Sequence, residues 1–224
     1  MEGMKKMSPK VSLITSTLNR TEELSRLLEH LDRQTFMDFE LIIVDQNDDE
    51  RLVPIINSFQ DKFTILYFRS ARGVSLGRNV GIKNSSGDII AFPDDDCWYA
   101  NELLAEVVTL FAESPEIDLI SGRTIDAHGK TSLGKFDKRP GKINRFNVWK
   151  RTNTNTIFLH RRVVEEVGLF DEDLGPGSGT IWGAAEDTDY LIRALQKGFV
   201  LFYYPQLTVY HEAPFMEYDE SAII

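Results

Sequence analysis

Apolar and polar positions alternate regularly over the first hundred residues of the chain. Four short apolar runs, rich in β-forming residues and bounded by polar positions or glycine, predict strands at 10–17, 41–44, 64–68 and 89–92. Apolar residues at helical spacing predict helices over 22–31 and 53–59, and a glycine-punctuated loop at 72–82 runs into a third helix. This alternation predicts an α/β domain with a doubly wound, mostly parallel central sheet and helices on both faces.

The second half of the chain is less regular. Helices are predicted over 101–113, 163–168 and 190–196, and strands over 119–122, 153–159, 199–204 and 207–212. The last helix is predicted to end at Lys197 and Gly198, a basic last turn followed by a C′ glycine. Residues 1–9 are predicted to be a disordered lead and 214–224 an acidic tail, which leaves 10–213 as one domain with a basic insertion at 130–151.

Composition and charge limit the classes of function. The chain has 224 residues, 42% of them hydrophobic, and a formal net charge of −10. This acidic balance argues against a general binder of nucleic acid, whose affinity depends on basic surface. The single cysteine, Cys97, excludes an intrachain disulfide, and no apolar run reaches the roughly 18 residues that a spanning helix needs. We therefore expect a cytoplasmic protein.

Three consecutive aspartates, Asp94, Asp95 and Asp96, follow the fourth predicted strand. Next-but-one side chains of an extended chain point the same way, so Asp94 and Asp96 can converge on one divalent cation such as Mg²⁺. A solvated acidic turn that caps the next helix explains the triplet alone equally well. Asp45 and the loop 72–79 fall at neighbouring strand ends, where open parallel sheets bind ligands. This clustering favours a site for a nucleotide or other phosphorylated ligand with a metal.

Five motifs, in this order, resemble those of the inverting nucleotide-sugar glycosyltransferases of family 2, which have the Rossmann-like GT-A fold. They are 15–20 after the first strand, 44–45 after the second, the glycine-rich 73–81, the aspartate triplet, and the pair 168–171 with 186–189. The resemblance runs from about residue 11 to residue 211. It implies a nucleotide-binding half at 10–100 and an acceptor-binding half at 101–213.

The resemblance implies roles for residues of the nucleotide-binding half. Asp45 would accept a hydrogen bond from the nucleobase, Thr15 would lie against that base, and Arg78 would neutralise phosphate or orient Asp45. The full implied set of nucleotide-binding residues is Thr15, Asn19, Arg20, Asp45, Arg78, Asn79, Asp94 and Asp95.

A metal site is implied by the same resemblance. Asp96 would touch the cation directly, while Asp94 would hold the ribose or a metal-bound water. His211, at the end of the last predicted strand, would complete the metal shell. The cofactor is expected to be Mn²⁺ or Mg²⁺, and an imidazole ligand favours Mn²⁺. A lone histidine is as often structural.

The acceptor-binding half carries the implied catalytic base. Asp187 is expected to take the proton of the acceptor hydroxyl, with Glu186 as the runner-up. Trp182, which stands in a glycine-rich loop before this pair, is expected to stack on the acceptor sugar. A core tryptophan is nearly as good an interpretation of that position.

The implied reaction moves a sugar from a nucleoside-diphosphate sugar, UDP first, to a glycan or a polyprenyl-diphosphate-linked acceptor in polysaccharide biosynthesis. The basic insertion 130–151 would suit the acceptor diphosphate or lipid headgroups in a peripheral contact at the inner face of the membrane. A solvated loop explains its charge as well. The sequence does not predict the oligomeric state.

Two departures and two alternative functions qualify this interpretation. Gln46, Asn47 and Asp48 stand where the family often has Asp-Gly-Ser, and Gly77 stands where alanine is frequent, a change expected to matter little. A nucleotidyltransferase would share the architecture and the metal carboxylates, but it is expected to carry a glycine- and lysine-rich phosphate loop where 15–20 has no glycine. A non-catalytic nucleotide-sugar binding module would not need the base.

Overall fold

The computed structural model describes residues 10–212, so the predicted lead 1–9 and acidic tail 214–224 lie outside the described residues. The strands are β1 Val11–Thr17, β2 Phe39–Asp45, β3 Thr64–Arg69, β4 Ile89–Ala91, β5 Cys97–Tyr99, β6 Leu119–Ile125, β7 Gly141–Lys142, β8 Ile157–His160 and β9 Leu201–His211. The α-helices are α1 Glu22–Leu31, α2 Val53–Asn57, α3 Val74–Asn84, α4 Leu103–Glu113, α5 Arg161–Val167 and α6 Glu186–Gln196.

One sheet runs through the described part of the chain. Its order is β3-β2-β1-β4-β8-β6-β9-β5, with β7 also paired to β9. Strands β3, β2, β1 and β4 are parallel to one another, and β6 is parallel to β9. The other pairings, of β8 with β4 and β6 and of β9 with β5 and β7, are short and antiparallel. The predicted mostly parallel sheet is confirmed, with an antiparallel centre where β8 joins the two halves.

Helices cover both faces of this sheet, as predicted. On one face α1 and α4 bury residues such as Leu27 and Leu104, which are fully inaccessible to solvent. On the other face α3, α5 and α6 pack through Ile82, Val163 and Leu191. The spacing of the leucines in α1 places Leu24, Leu27, Leu28 and Leu31 on one buried side of the helix, which explains why this helix could be predicted from the sequence.

Two strands of the second half, β9 and β8, differ from the predicted ones. The two strands predicted at 199–204 and 207–212 are one strand, β9, because both of its ends pair with β6. Pro205, which has no N–H to donate, lies where the register shifts, and its carbonyl accepts a hydrogen bond from Arg123 Nε (2.7 Å). The strand predicted at 153–159 begins only at Ile157, because Thr154–Thr156 form a 3₁₀ turn.

Within residues 10–212, no helix is both long enough and apolar enough to cross a lipid bilayer.

Candidate active site

The carboxyl ends of neighbouring parallel strands bring the predicted site together. Strand β4 ends at Ala91, beside β1, and the aspartate triplet begins after two intervening residues. Thr15 of β1 is fully buried, and its hydroxyl donates to the Pro93 carbonyl (3.0 Å). Thr15 was expected to lie against the nucleobase; it instead fixes the chain at the point where the triplet begins.

Asp94, Asp96 and His211 form a compact cluster, with one ligand atom of each within 4.8 Å of the others. His211 arrives on the end of β9, which pairs with β5 directly after the triplet. Its Nδ1 lies 2.6 Å from the Glu212 carbonyl, an acceptor only, so Nδ1 carries a proton and Nε2 faces the carboxylates. A metal-binding histidine commonly has this arrangement. Two carboxylates and one imidazole suit Mn²⁺ or Mg²⁺.

Charges inside the cluster shift the acidity of its members. Burial raises the pKa of Asp94, whose carboxylate lies 3.5 Å from Arg78 Nη2. Burial opposes ionisation of Asp96 too, but a hydrogen bond from His211 outweighs it and lowers the pKa of Asp96. His211 Nε2 and Asp96 Oδ1 are 3.0 Å apart, and this contact raises the pKa of His211 despite partial burial. His211 therefore holds its Nε2 proton toward Asp96, and a divalent cation bound by the three side chains would take the place of that proton.

Arg20 supplies a positive charge at the edge of the triplet. Its Nη1 lies 2.9 Å from Asp95 Oδ1 and also contacts Asp96 Oδ2. Asp95 is only 7% exposed, and this burial raises the pKa of its carboxyl to about 6. Asp95 therefore packs against Arg20, while Asp94 and Asp96 are the members of the triplet that group with His211.

Arg78 connects the two halves of the site. The side chain is buried on α3, and its Nη1 donates to Glu186 Oε1 (3.0 Å) while Nη2 lies 3.5 Å from Asp94 Oδ1. Of the two roles predicted for Arg78, orienting Asp45 is not what the structure records. The guanidinium instead links the aspartate triplet to the first turn of α6, where its partner Glu186 is 108 positions away from Arg78 in the sequence.

Asp45 is fully buried at the end of β2 and already accepts three hydrogen bonds. Its Oδ1 accepts from the backbone N–H (2.8 Å) and side-chain amide (2.7 Å) of Asn47, and its Oδ2 from the Tyr67 hydroxyl (2.6 Å). Asn47 in turn accepts from the Asn19 backbone N–H (2.7 Å), which holds the 15–20 motif beside β2. Where the family often has Asp-Gly-Ser, this chain thus has Asn47, whose side-chain amide orients Asp45.

Gln46 and Gly77 form a second local departure. The Gln46 side-chain amide donates to the carbonyls of Ala71 and Gly73, both at 2.9 Å, and so ties the glycine-rich loop to β2. A Cβ at Gly77 would lie 2.6 Å from Ser16 Cβ and 3.0 Å from Gln46 Nε2. In this chain, a side chain at position 77 would therefore require Ser16 of β1 to shift.

Asn79 was predicted to bind nucleotide, but it lies inside the protein. It is 1% exposed, and its side-chain amide both donates to the Phe170 carbonyl (3.0 Å) and accepts from the Phe170 N–H (2.9 Å). A further bond joins it to Glu172 Oε1 (2.9 Å). Asn79, which belongs to the motif 73–81, therefore joins α3 to the motif 168–171 and to the following Glu172.

The candidate base Asp187 lies in the first turn of α6. This helix begins at Glu186, four residues before the predicted start, after Ala185 in a left-handed conformation (φ 76°). Asp187 is half-buried; its Oδ1 accepts from the Thr188 N–H (2.6 Å), and its Oδ2 lies 3.3 Å from the Thr154 hydroxyl. Glu186 is 8% exposed and paired with Arg78. Asp187 is thus the freer carboxylate of the pair.

A glycine-rich loop, 171–185, lies between α5 and α6 and packs against the start of α3. The Ser75 hydroxyl donates to the Leu174 carbonyl (2.8 Å), and the Val74 N–H to the Pro176 carbonyl (3.0 Å). Gly175 (φ +91°) permits this approach, since a Cβ there would lie 3.0 Å from the Glu186 carboxylate. Trp182 is 61% exposed on this loop, which excludes the interpretation of Trp182 as a core residue.

Two open cavities meet at the aspartate–histidine cluster. One, about 510 Å³, includes Gln46, Gly73, Asp94 and Gly177 in its lining, and the other, about 750 Å³, is lined by Glu22, Glu23, Arg26 and Leu133 among others. Both are also lined by Arg20, Asp96 and His211. The cluster therefore stands between two spaces that can hold two different molecules.

Sequence reasoning missed the residues that hold the predicted ones in place. Tyr67 and Asn47 fix Asp45, Thr154 contacts Asp187, and Arg26 donates to the Asp96 carbonyl (3.1 Å). Asn47 could have been found, because an amide two residues after an aspartate is a common local hydrogen-bond partner. The contacts of Tyr67, Thr154 and Arg26 depend on strand order and helix placement, which leave no local signal.

A sequence profile described as Glycosyl transferase family 2 matches residues 12–166. The chain is 28% identical over 183 residues to the glycosyltransferase AglE of Haloferax volcanii, covering 78% of this chain and 60% of AglE. It is 25% identical over 185 residues to the GalNAc(5)-diNAcBac-PP-undecaprenol beta-1,3-glucosyltransferase of Campylobacter jejuni, covering 78% and 59% of the two chains. With the UDP-Glc:alpha-D-GlcNAc-diphosphoundecaprenol beta-1,3-glucosyltransferase WfgD of Escherichia coli, identity is 27% over 158 residues, covering 69% and 61%. The chain spans about three fifths of the length of these relatives.

Two solved structures have a similar fold. Staphylococcus aureus TarS superposes with a TM-score of 0.76 at 20% identity, covering 91% of this chain and 37% of TarS. The mannosyltransferase PcManGT of Pyrobaculum calidifontis, solved with GDP-Man and Mn²⁺, superposes with a TM-score of 0.69 at 16% identity, covering 95% and 59%. These superpositions confirm the predicted GT-A fold.

Proposed function

Since the chain belongs to glycosyl transferase family 2, we propose that it is a metal-dependent, inverting transferase acting on a nucleoside-diphosphate sugar. The observation that carries this proposal is the link through Arg78. One buried guanidinium joins Asp94, of the candidate metal cluster, to Glu186, beside the candidate base Asp187. A donor site and an acceptor site held by one ion-pair network suit the direct transfer of a group between two substrates.

The donor occupies the cavity of about 510 Å³, with its nucleobase toward Asp45 and its diphosphate toward the aspartate–histidine cluster. Asp96 and His211 hold the cation, with Asp94 as a third ligand or as the ribose contact. When bound, Mn²⁺ or Mg²⁺ supplies positive charge to the leaving diphosphate. Arg20 adds a fixed positive charge beside it. UDP is the first candidate nucleotide, supported by a complex of TarS 1–349 with UDP-GlcNAc, a chain of similar fold.

Asp187 takes the proton from the acceptor hydroxyl as that oxygen attacks the anomeric carbon from the face opposite the diphosphate. The N–H of Thr188 fixes one carboxylate oxygen, which leaves Oδ2, with only the long Thr154 contact, to receive the proton. Glu186 is the weaker candidate, because its charge is already matched by buried Arg78. Trp182, exposed on the adjoining loop, offers a flat apolar face for the acceptor sugar.

The acceptor is a glycan or a lipid-linked glycan in polysaccharide biosynthesis. Two relatives support the lipid-linked class, because their names describe acceptors carried on diphosphoundecaprenol.

The proposal is tested by thermal unfolding with UDP, GDP, TDP, CDP and their common sugar conjugates, each with and without Mn²⁺. A ligand at a hundred times its Kd stabilises the fold by about 2.7 kcal/mol, which raises the Tm by roughly 5–10 °C for this size. We expect such a shift with one nucleotide, dependent on Mn²⁺ and lost in Asp96→Ala. Asp61→Ala, an exposed carboxylate elsewhere, is the matched control. A folded protein that shifts with none of these ligands would rule out the donor site.

A further inference from the structure

A short segment of the basic insertion holds two aromatic side chains out in water. Phe146 is 78% exposed and Trp149 is 61% exposed. Ile143 and Val148, which alternate with them along the chain, are buried, with only 3% and 0% of their surface exposed. The segment is therefore anchored in the core at two points, and its exposed aromatic residues are not the result of a loosely packed loop.

Hydrogen bonds within the segment fix the turn that presents Phe146. The Asn144 N–H donates to Asn147 Oδ1 (2.7 Å), and the Phe146 N–H donates to Asn144 Oδ1 (2.9 Å). The Ile143 N–H donates to the Leu201 carbonyl (2.8 Å), which ties the turn to β9. A preformed turn loses little conformational entropy when it meets a partner, so this geometry suits binding.

The same segment concentrates positive charge in an acidic protein. Residues 130–151 hold eight basic residues and one acidic residue, a net charge of +7, while the whole chain carries −10. Arg151 pairs with the one acid, Asp137, at 2.7 Å. Within residues 10–212, the seven other basic side chains of the insertion form no salt bridge, and all seven are exposed. They are Lys130, Lys135, Lys138, Arg139, Lys142, Arg145 and Lys150.

We propose that an aromatic–basic surface, formed by Phe146 and Trp149 together with Lys138, Arg139, Lys142, Arg145 and Lys150, docks on an anionic lipid bilayer. Aromatic rings prefer the boundary between headgroups and acyl chains, and clustered lysines and arginines are attracted to anionic lipid. A second copy of the chain fits poorly, because a two-fold interface would bring the same positive charges together. The acidic remainder of the protein restricts membrane contact to this one surface.

Helix α6 connects this surface to the candidate base. Arg145 and Phe146 line a cavity of about 550 Å³ together with Ile192 and Leu195 near the end of α6. Asp187 lies in the first turn of this helix, about 8–12 Å along the helix axis from Ile192 and Leu195. If the proposed function holds, on which this one step rests, docking through this surface keeps the base close to the lipid headgroups, within reach of a glycan carried on a lipid.

Vesicle sedimentation tests the surface without donor, metal or acceptor, so its outcome is separate from that of the transfer reaction. We expect the protein to bind vesicles that contain phosphatidylglycerol and not vesicles of phosphatidylcholine alone, with binding weakened by salt. The variant Lys138→Glu/Lys142→Glu/Arg145→Glu should bind about a hundredfold more weakly. Its matched control, Arg33→Glu/Lys62→Glu/Lys83→Glu, changes three exposed basic residues elsewhere and should bind almost as the parent does.

Aromatic insertion is tested separately. Phe146→Ser/Trp149→Ser should bind anionic vesicles about tenfold more weakly, whereas Met37→Ser, an exposed apolar residue on another surface, should not. Brominated lipids should quench tryptophan fluorescence in the parent and much less in Trp149→Phe, which still binds. Folding of each variant is checked by its Tm. The proposal is overturned if the folded parent ignores anionic vesicles, if both triple variants lose binding equally, or if Phe146→Ser/Trp149→Ser only converts a dimer to a monomer.

Discussion

The donor side and the acceptor side of the candidate site differ in how far their side chains are already buried and partnered. On the donor side the polar groups are buried and already partnered: Asp45 accepts three hydrogen bonds and Arg78 forms two ion-pair contacts. On the acceptor side large apolar side chains stand in water, among them Ile181 at 87% and Trp182 at 61% exposure. The difference indicates a donor site that is preorganised in the free protein and an acceptor site completed by its ligand.

Removing the base is expected to have the largest effect, and it separates the two halves most cleanly. Asp187→Asn keeps the shape and the Thr188 contact but cannot take a proton, so kcat should fall by about 10²–10⁴-fold. Binding of the nucleoside diphosphate should not change, because that site lies on the donor side. Turnover with a radiolabelled donor and the Tm shift with nucleotide measure the two quantities.

Asp189→Asn is the control for that substitution. Asp189 stands in the same first turn of α6 but pairs with Arg193 (2.8 Å) and has no contact with the cluster. We expect it to keep nearly full turnover. If Asp187→Asn also kept more than a tenth of the parental turnover, another group would take the proton, and Glu186→Gln would be the next variant to measure.

The link between the halves is tested by Arg78→Met. This substitution leaves Glu186 as a buried charge without its partner, which typically costs about 3–5 kcal/mol of unfolding free energy. Denaturant unfolding measures this loss. Arg33→Met, which removes an exposed pair with Glu29 at 3.9 Å, should cost less than about 1 kcal/mol.

A second variant shows whether the buried charge is the cause. Arg78→Met/Glu186→Leu removes both charges and should recover a large part of the lost stability, while donor binding stays weak because Asp94 has still lost its cation. Equal destabilisation by Arg78→Met and Arg33→Met would mean that the network does not join the halves. The donor and acceptor sites would then have to be treated as independent.

The same contrast explains how much could be predicted from sequence. The donor half has short connections and strands in regular order, so periodicity predicts β1 to β4 and their helices, and the resemblance to family 2 is confirmed. The resemblance also groups Asp94, Asp96 and His211, and the structure brings them together although 115 residues separate the last two, because β9, which ends at His211, pairs with β5 directly after the triplet. Local signals suffice where neighbours in sequence are neighbours in the sheet.

Sequence reasoning was less successful where partners are remote. Thr15 and Asn79 belong to family motifs, yet their side chains hold backbone carbonyls of distant segments. The start of α6 was placed four residues late because Ala185, in a left-handed conformation, is not a residue that marks a helix start. These features depend on which distant segments pack together, and local sequence patterns do not predict such contacts.

The smallest expected effect concerns Trp182 and sharpens the acceptor side of the comparison. Stacking of an aromatic ring contributes about 0.5–1.5 kcal/mol, so Trp182→Ala should raise the KM for a soluble acceptor glycan by about 2–12-fold and leave donor affinity unchanged. Trp149→Ala is a well-matched control, because Trp149 is also 61% exposed but lies in the basic insertion rather than on the loop that leads to the base. With a soluble acceptor it should not change KM. If both alanine variants raised KM equally, Trp182 would have no specific role in acceptor binding.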